Sequence, residues 1–118
     1  MNERILPMNY FFTGTLGANV TLLLEFPFPV TFMSATAVAT NDSSATLALS
    51  GALTMSIAAQ AIGDSSDPVT IVPTATEKAS TAGEAANSLI TVTLDYDGTG
   101  GTAAENVSLT MFFLSGED

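Results

Sequence analysis

The feature that most constrains this chain is a two-residue alternation of apolar and small polar side chains, repeated along most of its length. Leu53, Met55, Ile57 and Ala59 alternate with Thr54, Ser56 and Ala58. Ile90, Val92, Leu94 and Tyr96 align in the same way, as do Val107, Leu109, Met111 and Phe113. Successive side chains of a strand point to opposite faces, so this period builds half-buried strands and not helices. Clusters of Gly, Pro, Asn, Asp and Ser at 14–17, 41–44 and 63–68 punctuate the runs as turns.

Read in this way, strands are expected over 8–12, 19–26, 30–40, 45–50, 53–59, 69–72, 89–96 and 107–114. In the third, Met33, Ala35, Ala37 and Ala39 alternate against Phe32 and Val38. Pro27 and Pro29 cannot donate to a ladder and mark a strand end or an edge. Residues 73–87, rich in Thr, Ala, Ser and Glu, form either a long loop or one short helix. The fold class expected is all-β, an antiparallel β-sandwich of about eight strands, jelly-roll-like ahead of immunoglobulin-like. The 118 residues allow one domain, over 8–118, preceded by an extended N-terminal arm over 1–7. That arm, polar then apolar and closed by Pro7, either lays a strand on a neighbour or frays.

Composition narrows the function. Hydrophobic residues make up 47% of the chain, which sets it apart from disordered sequences. No apolar run approaches the ~18 residues of a membrane span, and residues 1–7 lack the pattern of a signal peptide. A protein made in a cytoplasm, with no membrane contact, is therefore expected. Asp and Glu number 12 against two basic residues, Arg4 and Lys78, for a net charge of −10. Two cations cannot neutralise a nucleic-acid backbone, so no nucleic-acid partner is expected. Histidine and cysteine are absent, which removes Ser-His-Asp and Cys-His nucleophiles and the usual zinc, haem and iron–sulfur ligands. The chain reads as a non-enzyme without a cofactor.

One segment has the makings of a cation site. Asp95-Tyr96-Asp97-Gly98-Thr99-Gly100 alternates carboxylates beside glycine, as calcium loops do, with Glu105 as the remaining calcium candidate. Its spacing departs from the EF-hand, whose twelfth position here is Asn106. The competing reading is a glycine-rich connection between the last two strands. Asp64-Ser65-Ser66-Asp67 reads as a solvated turn, and Asn19, Asn41 and Asn106 begin triplets of glycosylation form that a chain rich in Ser and Thr produces by chance.

Tyr10-Phe11-Phe12 and Phe112-Phe113 place apolar side chains on both faces of their strands. Such strands need two covers, one of which is either the sandwich itself or another subunit. Ile5, Leu6, Tyr10, Phe11, Phe12 and Phe112 are accordingly the interface candidates. Sheet edges sharpen the point. Isolated sheets protect their edges with charge, lysine above all, and no lysine lies within any strand expected here. Bare edges argue for neighbouring chains that cover them.

The run Phe26-Pro-Phe-Pro-Val-Thr-Phe32, the strand Ile90-Thr-Val-Thr-Leu-Asp-Tyr-Asp-Gly-Thr-Gly100 and the closing Asn106-Val-Ser-Leu-Thr-Met-Phe-Phe-Leu-Ser-Gly-Glu117 resemble the small β-sandwich proteins of tailed-phage virions, of the capsid decoration (cement) type. The resemblance spans the chain from about Glu25 onward and lies in strand and turn style, without a motif that carries functional residues. It implies a structural protein on the outer capsid surface, made in the host cytoplasm. Such a protein sits over junctions between major capsid proteins as a homo-oligomer, often a trimer. The alternatives are a fibre or surface module that binds carbohydrate or cells, and a subunit of an extracellular β-filament.

Overall fold

Strand alternation closes here into two facing sheets. The computed structural model describes residues 4–115. Among them are strands β1 (Ile5–Thr15), β2 (Val20–Leu24), β3 (Val30–Ala39), β4 (Thr46–Gly51), β5 (Ser56–Ala61), β6 (Gly63–Asp64) and β7 (Thr70–Ile71). A helix, α1 (Ala75–Ser80), precedes β8 (Gly83–Glu84), β9 (Ile90–Asp95) and β10 (Glu105–Ser115). The first sheet runs β1-β10-β3-β6, with β7 and β8 also paired to β3; the second runs β2-β9-β4-β5. Every pairing is antiparallel except the two-residue contact of β3 with β6.

The order has a simple origin. The first strand pairs with the last, β2 with β9, β3 with β6–β8, and β4 with β5. A long antiparallel ribbon folded over on itself places alternate pairs in opposite sheets, which is the jelly roll. The chain is thus an all-β sandwich. Its ten strands exceed the expected eight through β6 and β8, two-residue pieces that the polar stretches 63–68 and 73–87 contribute to the margin of β3.

The core lies between the sheets, with Phe32, Leu47, Ile57, Ile71, Ile90, Leu94, Leu109, Met111 and Phe113 fully buried. β9 keeps strict period two, Ile90, Val92 and Leu94 inward, as expected. Two expected alternations break. Met33 is exposed while Ala35 is buried, because a bulge where Phe112 and Phe113 face β3 shifts the phase of that strand. Leu53 is 70% exposed, because residues 52–55 form the turn from β4 to β5 and not the start of a strand.

Two further expectations are resolved. In 73–87 the helix forms: Thr74 accepts from the Glu77 N–H while the Glu77 carboxylate accepts from the Thr74 N–H, a capping box that nucleates one short helix. The N-terminal arm expected over 1–7 does not extend as such from Ile5 onward. Ile5, Leu6 and Pro7 belong to β1 and pair with Leu114, Phe113 and Phe112, because their alternation continues that of 8–12. Residues 1–3 lie outside the described residues.

Candidate interaction surface

β1 and β2 end their sheets on one flank of the sandwich, joined by the link 16–19. In β1 the odd positions Ile5, Pro7, Asn9 and Phe11 face outward, and the even positions Leu6, Met8, Tyr10 and Phe12 face the core. This separates the six interface candidates. Ile5 and Phe11 stand in solvent, 58% and 59% exposed, and Phe112 lies half-buried on the same outer face. Leu6, Tyr10 and Phe12 pack inward and remain half-buried, as do Val20 and Leu22 of β2. The core is therefore less completely closed along this flank than under β4 and β9.

The outer face of the β1-β10-β3 sheet carries apolar side chains that extend beyond the expected set. Leu114 lies beside Ile5, and Met33 emerges near the β3 bulge. The signal for Leu114 was present, since it continues the two-residue period of Phe112. The signal for Met33 was not, because the bulge reverses its face. Across β3 a hollow of about 390 Å³ opens between Met33, Val72, Pro73 and Leu114, with Lys78 on its wall.

Backbone edges complete the description. The Ser115 N–H donates to the Arg4 carbonyl. Antiparallel ladders alternate, so Leu6, Met8, Tyr10 and Phe12 bond β10, and Ile5, Pro7, Asn9 and Phe11 turn their backbone groups to the free edge. Pro7 consequently sits where its missing N–H costs the β10 ladder nothing. The opposite flank is covered by the chain itself. The Ala58 N–H of β5 donates to the Glu77 carboxylate at 2.8 Å, the Gln60 amide donates to the Val72 carbonyl, and the Thr81 hydroxyl donates to the Ser56 carbonyl. β6, β7 and β8 in turn line the margin of β3. Neither β5 nor β3 offers a bare edge of any length.

Both basic residues lie toward one end of the sandwich, together with Glu77 and Glu84. Arg4 lies beside Ser115 at one end, and Lys78 lines the hollow with Leu114 and Thr31 near it. Asp64 beside Ala39, Asp95 beside Thr46 and Glu105 beside Thr15 lie at the other end. There the Thr99 hydroxyl and N–H donate to Asp95, and the same N–H donates to Asp97. The Thr99 hydroxyl, first among several donors, holds the Asp95 carboxyl below its ordinary range, and the charge of Asp97 raises the Tyr96 phenol. Asp95 and Asp97 thus shape a turn. Among the described residues no three acidic side chains gather closely enough to hold a metal ion, and Glu105 does not join the other two.

The three asparagines of glycosylation-type triplets also have structural partners. Asn19 accepts from the Tyr96 N–H, Asn41 bridges the Ala103 carbonyl and the Glu105 N–H, and Asn106 accepts from the Gly14 N–H. They stitch together the loops at the acidic end. What the molecule presents is therefore a flank and sheet face with exposed apolar side chains, Ile5, Phe11 and Met33 among them. Comparison of the chain with protein-family models, with curated proteins and with solved structures finds no match.

Proposed function

We propose that the chain is a non-enzymatic structural protein of a virion, a decoration protein of the tailed-phage type. It binds the outer capsid surface at junctions between major capsid proteins, in company with copies of itself. One observation supports the reading above the rest: among the described residues the chain covers its β5 and β3 margins with its own segments and leaves β1 and the adjoining sheet face uncovered. Ile5, Phe11 and Met33 on that face are apolar and exposed. A face of this kind gains by burial against protein, at roughly 25 cal/mol per Å² of apolar area removed from water. The net charge of −10 favours the outside of a DNA-filled shell over its inside.

The test is to mix the protein with shells of the encoding virus prepared without it. Co-sedimentation, density at two- or three-fold junctions by electron cryomicroscopy, and a higher melting temperature of the shell are expected, since a ligand of the assembled state stabilises it. Failure to bind shells together with binding on a glycan array would replace the reading by that of a carbohydrate-binding surface module.

A further inference from the structure

We propose that the free edge of β1 pairs with the same edge of a second copy, antiparallel about a two-fold axis, and continues the first sheet across the pair. The proposal deepens the assembly reading above and rests on it only for the premise that copies of the chain meet.

Hydrogen-bond direction is the first argument. The ladder places the N–H and C=O of Asn9 and Phe11 on the free edge, where none of the described residues meets them. Setting Asn9 opposite Phe11 of the second copy, and Phe11 opposite its Asn9, satisfies both groups of both residues on each strand. Pro7 then contributes only its carbonyl and marks where the pairing fades. The register also sets the two Phe11 rings diagonally across the axis, within the reach of aromatic side chains.

Charge is the second argument. Two copies of a molecule with a net charge of −10 repel, and β1 from Ile5 to Thr15 carries no charged residue at all. Antiparallel pairing also runs the Arg4 end of one copy toward the far end of β1 in the other, past the irregularity between Phe12 and Thr15. Leu16 adjoins the β10 start at Glu105, which pairs with Thr15. Two strand spacings, about 10 Å, separate the Arg4 backbone from that acidic start, a span that the Arg4 and Glu105 side chains cover when both extend toward each other. The two-fold therefore turns Arg4 of each copy toward Glu105 of its mate, twice.

Availability is the third. Glu77, Val72 and Thr81 engage β5, β6–β8 line β3, and β2 offers five residues where β1 offers eleven. An edge that pairs with itself closes at two copies. The predicted unit is a dimer or a set of dimers, in place of the trimer that the family resemblance implies.

Sedimentation equilibrium on the isolated, full-length protein reads the outcome without any capsid, so failure here and failure of shell binding are separate results. A mass of twice 12.1 kDa is expected. Amide exchange should show Asn9 and Phe11 protected. The Asn9→Pro variant removes an N–H that faces the free edge and leaves the β10 ladder intact. Two-fold symmetry deletes two hydrogen bonds at once, and the dimer dissociation constant should rise about 30-fold. Phe11→Lys, at an exposed position, should give a folded monomer and guards against a misfolded proline variant. A monomeric wild type, fast exchange at Asn9 and Phe11, or a dimer that Phe11→Lys leaves intact would each overturn the proposal.

Discussion

Glu84 is a carboxylate buried between the sheets, 3% exposed, on the two-residue strand β8. Its oxygens accept from the N–H groups of Leu53, Thr54 and Met55 at 2.7–2.8 Å and so tie the first sheet to the β4–β5 turn of the second. Burial alone would raise its pKa; the N–H donors of Met55, Thr54, Leu53 and Ala52 together outweigh it and hold the carboxyl below the ordinary glutamate range. Gly51 lies so close that a Cβ there would meet this carboxylate. A group with a lowered folded-state pKa lends stability above its unfolded value, about 4.3, and loses it as pH falls through the folded value. Glu84→Ala is expected to cost about 3 kcal/mol at neutral pH by urea denaturation, with the buried Met55 N–H and the two turn N–H groups beside it left without this acceptor. The gap to wild type should narrow as pH drops below about 4. A second single-residue test is Gly98, at φ 64 and packed on the Ser44 carbonyl. Gly98→Ala meets both the left-handed backbone and a clash, and should lower stability by about 2 kcal/mol in a thermal melt.

At the scale of elements, α1 has six residues and buries none of them, so packing does not explain its presence. Its role is to carry Glu77, which closes the capping box through Thr74 and caps the β5 edge through Ala58. The Ala58 N–H, followed by that of Thr74, draws the Glu77 carboxyl below its usual range. Glu77→Ala is expected to cost about 1 kcal/mol through the cap. It also bares β5, so light scattering at high concentration should rise faster than for wild type. The sequence showed this stretch as helix or loop without deciding between them. Thr74 and Glu77 stand three apart, the signature of a capping box, whereas the reach of Glu77 to a strand 19 residues earlier is absent from any local pattern.

On the scale of the molecule, the two sheets are joined at one end by an aromatic cluster. Phe113 of β10 meets Phe32 of β3 edge-on at 5.8 Å and Phe26, just beyond β2, at 5.4 Å, while Phe28 follows Phe26. Phe113→Ala removes the fully buried centre of this cluster and should cost about 4 kcal/mol, read as a shifted denaturation midpoint. The contrast between flanks is also a property of the whole. Charge is scarce in every strand, yet among the described residues β1 and β2 lack cover, whereas the segment 63–87 folds over β5 and β3. The bare edges expected from the sequence are therefore confined to one flank of the sandwich, and the chain covers the other with its own segments.

Alternation alone determined that the chain is all-β and which side chains of β9 and most of β10 face inward, since period two is a local consequence of the extended backbone. It also exposed the shortage of edge charge and the doubly apolar character of Phe11 and Phe112. Only the tertiary structure decided that Met33 turns outward and Leu53 leaves its strand. It alone set Glu84 under a turn 29 residues earlier and assigned a cover to β5 but none to β1. These depend on bulges and on hydrogen bonds between distant segments, where register between strands decides the partner and neighbouring residues carry no record of it.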